Sequence, residues 1–228
     1  MDIVILDEIG FSIDRAALLG RLHLGQTGPD ADAFGRLADA DEAVARPKAI
    51  VRMAYVEDRT PDTVVIGQVT FRSRVLRVNL DAAHRVWAYL ATCGTELDGW
   101  SGTIPDVFEG YWADAIKEAA LGAAIQVADA HIRRYAAGQT ASMNPGSLPD
   151  WPMEQQRPLF ELLGDPTAAV GVQLTDSFLM VPNKSISGLR FPTEAGFESC
   201  QLCPREICPG RRAPYDKDLY GRRFAAKP

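Results

Sequence analysis

Three of the four cysteines fall in one short stretch, "ESCQLCPREICPGRR" at 198–212, with the spacing C-x2-C-x4-C. Loops of two and four residues let Cys200, Cys203 and Cys208 turn toward a single centre, and soft thiolates hold zinc or iron–sulfur clusters. Both kinds of centre want a fourth ligand, and no histidine lies nearby. Cys93, in "ATCGTE" at the end of an expected strand, is the natural candidate. The Cys203-Pro204 and Cys208-Pro209 steps resemble ferredoxin ligand runs, which places an iron–sulfur cluster, 4Fe-4S first, ahead of zinc. A disulfide pair with a spare thiol, or thiols buried as small apolar groups, are the remaining readings, and the second is the plainest one for Cys93.

The elements that would position such a centre belong to a chain of 228 residues, enough for one large domain or two small ones. A hydrophobic fraction of 46% and a charged fraction of 24% are those of a globular protein with a sizeable core. The net charge of −6 argues against general nucleic-acid binding, which needs a basic face. From Pro204 onward there are seven Lys/Arg against three Asp/Glu, so this tail carries +4 and residues 1–203 carry −10. Such a tail suits an acidic partner, a phosphate-bearing cofactor, or simply a solvated surface. The start, "MDIVILDEIGF", is acidic where a secretion signal is basic, and no run approaches the roughly 20 apolar residues of a membrane span. A cytoplasmic protein with reduced thiols is expected, in which a tight cysteine cluster points to metal before disulfide.

Residues 13–24 and 30–46 read as helices, each opened by an aspartate suited to capping. The β-branched runs 48–56, 62–71, 74–80 and 85–94 read as strands. Residues 106–138, rich in Ala, Ile and Leu at helical spacing, read as the central helix, with a break expected near Gly110. The Pro- and Gly-rich stretch 139–152 reads as a structured loop, and 153–164 as a short helix stopped by Gly164. "GVQLTDSFLMVP" (171–182) and "SISGLRF" (185–191) read as two further strands. Strands and helices in separate runs, without βαβ alternation, indicate an α+β fold. No common hydrolase, phosphate-loop or dinucleotide signature is present, and His23, His84 and His131 are scattered, so no catalytic residue is assigned.

Several short motifs follow one another in fixed order: Pro145-Gly146, the helix end before Gly164, Leu174-Thr175-Asp176-Ser177-Phe178, Met180, Pro182 and Ser185-Ile186-Ser187-Gly188. This succession resembles the activation (reactivation) domain of vitamin B12-dependent methionine synthase, in a stand-alone bacterial form with an added cysteine segment. "TCGTELDG" (92–99) and "AALGAAIQVADAHIRR" (119–134) are similar too. The resemblance covers roughly residues 85–192 and only loosely the first 84. It divides the chain into an N-terminal α+β portion of the same domain (1–84), an activation-domain-like core (85–192), and a cysteine-rich metal-binding segment with its basic tail (193–228).

The resemblance implies a bent antiparallel sheet flanked by helices that binds S-adenosylmethionine and helps remethylate a corrinoid whose cobalt has slipped to Co(II). The corrinoid (cobalamin) would sit on a separate methyltransferase or corrinoid protein. A ferredoxin or flavodoxin, or the chain's own iron–sulfur cluster, would relay the electron. Carried over, the ligand site would use the loop Asn144, Pro145, Gly146 and Ser147 and the helical carboxylate Asp129. The family domain has an arginine three residues before the Pro-Gly pair and a tyrosine directly after it; here those positions are Ser142 and Ser147. An arginine fork suits a methionyl carboxylate, so Arg190 or Lys184 would have to supply the charge. The alternative implied by that departure is an iron–sulfur electron-carrier or docking subunit that no longer binds the methyl donor.

Overall fold

A computed structural model describes residues 3–194, 196–208 and 210–225; Pro209 of the second Cys-Pro step lies outside them. Its strands are β1 (Ile3–Leu6), β2 (Lys48–Arg59), β3 (Thr63–Ile66), β4 (Val69–Arg72), β5 (Arg85–Thr92), β6 (Thr140–Met143), β7 (Gln173–Leu174), β8 (Met180–Val181) and β9 (Ser185–Pro192). Its α-helices are α1 (Arg15–Arg21), α2 (Pro29–Val44), α3 (Arg74–Asn79), α4 (Thr95–Ser101), α5 (Val107–Arg133), α6 (Gln156–Leu163) and α7 (Pro166–Val170).

Seven strands form one sheet in the order β4-β3-β2-β5-β9-β6, with β1 also pairing to β2, and every pairing is antiparallel. The long strand β2 carries the bend. Its first half pairs with β1 and β5, its second half with β3, and the register slips between Val56 and Asp58. One extra residue at such a point bulges the strand and turns the sheet. This is the bent antiparallel sheet flanked by helices that the motifs imply.

Alternation along the strands gives the two faces different covers. Ile50, Val86, Leu90, Leu189 and Phe191 point into the main core with Trp151, Leu159 and Leu162. Val51, Trp87, Tyr89 and Ala91 point the other way, against Ala124, Ala128 and Ile132 of α5. No helix among the described residues is long and apolar enough to cross a membrane.

Five expected elements differ from the fold. Residues 74–80 form helix α3, not a strand. The Ser73 hydroxyl caps Leu76 N–H at 3.0 Å, and the distant Asp150 carboxylate accepts from Val75 N–H at 2.9 Å. The run 62–71 is a hairpin, because Gly67 and Gln68 take φ of +54° and +71° and reverse the chain. Residues 139–152 include strand β6, and 171–182 is the β7–β8 ribbon. Helix α5 runs through Gly110 without a break, held at its start by the Asp106 carboxylate, which accepts from the N–H groups of Phe108 and Glu109.

Asp41, on the face of α2 turned toward α5, is fully buried, and neither carboxylate oxygen has a hydrogen-bond partner among the described residues. Burial pushes its carboxyl from 3.8 up to about 7, with the Lys117 charge pulling the other way. The folded protein therefore keeps a proton that the unfolded chain has released. Stability through this group is full below about pH 4 and declines as pH rises toward 7. Asp41→Asn is expected to remove that slope and to raise stability at pH 8 by up to about 4 kcal/mol. Thermal unfolding of both proteins from pH 4 to pH 8 measures the difference. Parallel profiles would contradict it.

Candidate ligand groove and the cysteine segment

Helix α5 covers β2 and β5 but leaves a polar strip of β9 and β6 beside it. Arg190 lies on this strip, level with Trp87 on one side and Ser142 on the other. Its Nη2 meets Asp129 Oδ1 of α5 at 2.6 Å, and its Nη1 donates to Thr140 Oγ1 at 3.2 Å. Its Nε is buried without a hydrogen-bond partner among the described residues. The pair is largely enclosed, with side-chain exposures of 12% for Arg190 and 22% for Asp129. Two residues singled out separately in the sequence thus meet. Lys184, the other cation considered, is engaged by Asp114 at 2.8 Å.

A separate group of hydroxyls and amides lies beside this pair. Asn144 Nδ2 donates to Tyr89 Oη at 2.8 Å and to the Ser187 carbonyl at 2.7 Å. With its lone pair accepting from Asn144, the Tyr89 hydroxyl can give its own hydrogen to Ser142 Oγ, 3.0 Å away. The Ser187 side chain points to the opposite face of β9, where its Oγ donates to Gln156 Oε1 of α6 at 2.6 Å. The place where the family domain has an arginine is thus taken by a buried serine inside a closed network. Tyr89, Thr140 and Gln156 were not singled out in the sequence. For Tyr89 a signal existed: Trp87 and Tyr89 alternate along β5 and so share one face.

The loop after β6 is tied by its own hydrogen bonds. Pro145 is buried, whereas Gly146 and Ser147 are exposed. Gly146 N–H donates to the Trp151 carbonyl at 2.7 Å, and Ser147 Oγ to the Asn144 carbonyl at 2.6 Å. Gly146 has φ +83°, and a Cβ there would stand 2.1 Å from Met153 Sδ, so any other residue would strain the backbone and displace Met153. The strip therefore offers one carboxylate, one guanidinium with a spare donor, and several hydroxyls. Such a set can bind and orient a polar ligand carrying both an ammonium and a carboxylate.

The cysteines do not assemble as expected. Cys93 is fully buried with Ala45, Leu97 and Ala120, and its thiol is pushed up to about 12 by burial, with the charge of Asp98 adding to the effect. It follows Thr92, which pairs with Ser185 at the start of β9, whereas the cysteine segment leaves the far end of β9 at Pro192. Eight residues of strand span more than about 20 Å, so Cys93 sits at the end of β9 opposite to the one from which the cysteine segment departs. Among the described residues no three His, Cys, Asp or Glu side chains are grouped to hold a metal ion. The loop is tied instead by Arg211, whose guanidinium donates to the carbonyls of Cys200 (3.3 Å), Cys203 (3.5 Å), Ala213 (3.3 Å) and Arg205. Cys200 Sγ accepts from the Arg212 amide at 3.5 Å, and that hydrogen bond holds its thiol below the ordinary range.

Gly188 lets β6 and Asn144 close on β9. A Cβ there would lie 2.5 Å from both the Met143 carbonyl oxygen and Asn144 Nδ2. Gly188→Ala is expected to break the Asn144 contacts and cost about 1–3 kcal/mol, read from the urea midpoint. An unchanged midpoint would show that the loop does not depend on this close approach.

Residues 110–198, which include Asp129, the 144–147 loop and Arg190, match the family model described as vitamin B12 dependent methionine synthase, activation domain. No curated protein sequence matches the chain. A crystal structure of the MetH reactivation domain bound to AdoHcy is similar over 84% of this chain and 78% of that one, with a TM-score of 0.58 at 16% identity. The bent sheet flanked by helices is therefore the fold of the MetH reactivation domain.

Proposed function

We propose that this chain holds S-adenosylmethionine on the strip between α5 and β9 and presents its methyl group to a corrinoid carried by a separate methyltransferase or corrinoid protein. The observation that carries the reading is the Asp129–Arg190 pair with its unpaired Nε, inside the stretch that matches the activation-domain family. The set fits the ligand. Asp129 uses Oδ1 for Arg190 and has Oδ2 left for an ammonium group, while the Arg190 guanidinium supplies the positive charge that suits a carboxylate. The Pro145–Gly146 turn exposes backbone next to the same strip, where the ligand's other end can approach closely. The bound molecule supplies a sulfonium methyl. The protein's contribution is orientation, because Co(II) must gain an electron before it can accept that methyl, and productive transfer needs the methyl held in line. A ferredoxin or flavodoxin would deliver the electron. Among the described residues no three metal-ligating side chains are grouped, so no relay cluster is assigned to this chain.

A second reading has its own observation. Ser142 replaces the family arginine, and both alternative cations, Arg190 and Lys184, are already paired with carboxylates. A chain in this state would dock on the corrinoid protein without holding a methyl donor.

Both readings are tested by following the Co(II) EPR signal of cobalamin on a B12-binding domain under titanium(III) citrate. With the chain present, loss of the signal is expected to accelerate only when S-adenosylmethionine is added. Asp129→Asn is expected to raise the concentration needed for half-maximal rate about tenfold. Acceleration that ignores S-adenosylmethionine would favour the docking reading, and no acceleration at all would end both.

A further inference from the structure

The cysteine segment has a geometry of its own. A 3-10 turn spans Ser199–Leu202, and its last hydrogen bond runs from Cys203 N–H to the Cys200 carbonyl at 3.2 Å. In such a turn three residues make one revolution, so side chains three apart lie directly above one another. A turn closed from i to i+3 brings the two Cα atoms within about 7 Å, the range that a disulfide bridges. Both residues are only half-buried, so small thiols and disulfides can reach them. The frame around them is stiff: Glu198 and Gln201 form a reciprocal cap on the turn, and Arg211 ties the carbonyls of both cysteines. Leu202, between the two cysteines, packs on the main core and lines a small cavity with Leu148, Pro149 and Asp150 of the loop that follows Gly146.

From this geometry we infer that Cys200 and Cys203 form a reversible dithiol–disulfide site. The oxidant is a low-molecular-weight disulfide of the glutathione type. The Cys200 thiolate attacks one of its sulfurs and releases one thiol, giving a mixed disulfide at Cys200. The Cys203 thiolate then attacks Cys200 Sγ, releasing the second thiol and closing the 200–203 bond. Two protein thiols are oxidised as one small disulfide is reduced to two thiols, and the reverse exchange reopens the pair. The site stands apart from the polar strip and does not depend on the reading of that strip.

The test uses the whole chain, purified anaerobically and equilibrated in mixtures of reduced and oxidised glutathione, then alkylated, digested with trypsin and weighed. Cleavage after Arg190 and Arg205 leaves Cys200 and Cys203 in one peptide and places Cys208 in another. The expected result is a 191–205 peptide lighter by two hydrogens that returns to the dithiol form in excess reduced glutathione. In Cys203→Ser a glutathione adduct should remain trapped on Cys200, and native far-UV circular dichroism would confirm that this variant is folded. The proposal is overturned if both thiols stay alkylatable across the series or if Cys200 pairs with Cys208. It is equally overturned if the isolated protein carries stoichiometric iron or zinc that Cys203→Ser releases.

Discussion

The closeness of α5 to the sheet is the constraint on which the site depends. Ala120, Ala124 and Ala128 recur at every fourth position and so share one face of the helix, and all three are buried. Opposite Ala124 and Ala128 the sheet presents Ala49 and Ala91 beside Val51, Trp87 and Tyr89. Small residues on both sides let the helix lie near the strands, and Asp129, next along from Ala128, then reaches over the edge to Arg190. A larger side chain at position 124 or 128 would lift the helix and part the ion pair, leaving a guanidinium and a carboxylate enclosed without their partners.

Around that contact the rest of the strip is assembled by strand order. β9 lies between β5 and β6, so residues from three distant stretches, Tyr89, Ser142 with Asn144, and Arg190, come to one surface. Gly188 keeps the strands from being held apart, and the hydroxyl network fills the space that a longer side chain at 142 would claim. The arrangement is pre-organised: its polar groups are already aimed by the fold, as a site that works by orientation requires.

Much of this was legible in the sequence, and the parts that were not share a cause. The long helix, the Pro-Gly loop, the stop at Gly164 and the strand Arg85–Thr92 follow from local pattern and appear in the fold. Asp129 and Arg190 were each visible, but their pairing depends on which strands are neighbours, and periodicity does not report that. Helix α3 was hidden because its start relies on Asp150, far along the chain, while its β-branched residues suggest a strand. The cysteines show the same limit from the other side. Spacing places Cys200, Cys203 and Cys208 together, but only the antiparallel β5–β9 pairing reveals that Cys93 lies at the opposite end of the sheet.

The central claim is that the α5–β9 strip binds the adenosylated amino acid through Asp129 and Arg190. Isothermal titration calorimetry of AdoHcy into the wild-type chain and into Asp129→Asn addresses it most directly, because it needs neither an electron donor nor a corrinoid partner. The account predicts one site per chain in the wild type and a loss of affinity of about tenfold in the variant, from one charge-assisted hydrogen bond removed. Absence of binding at millimolar AdoHcy, or equal affinity in both proteins, would contradict it.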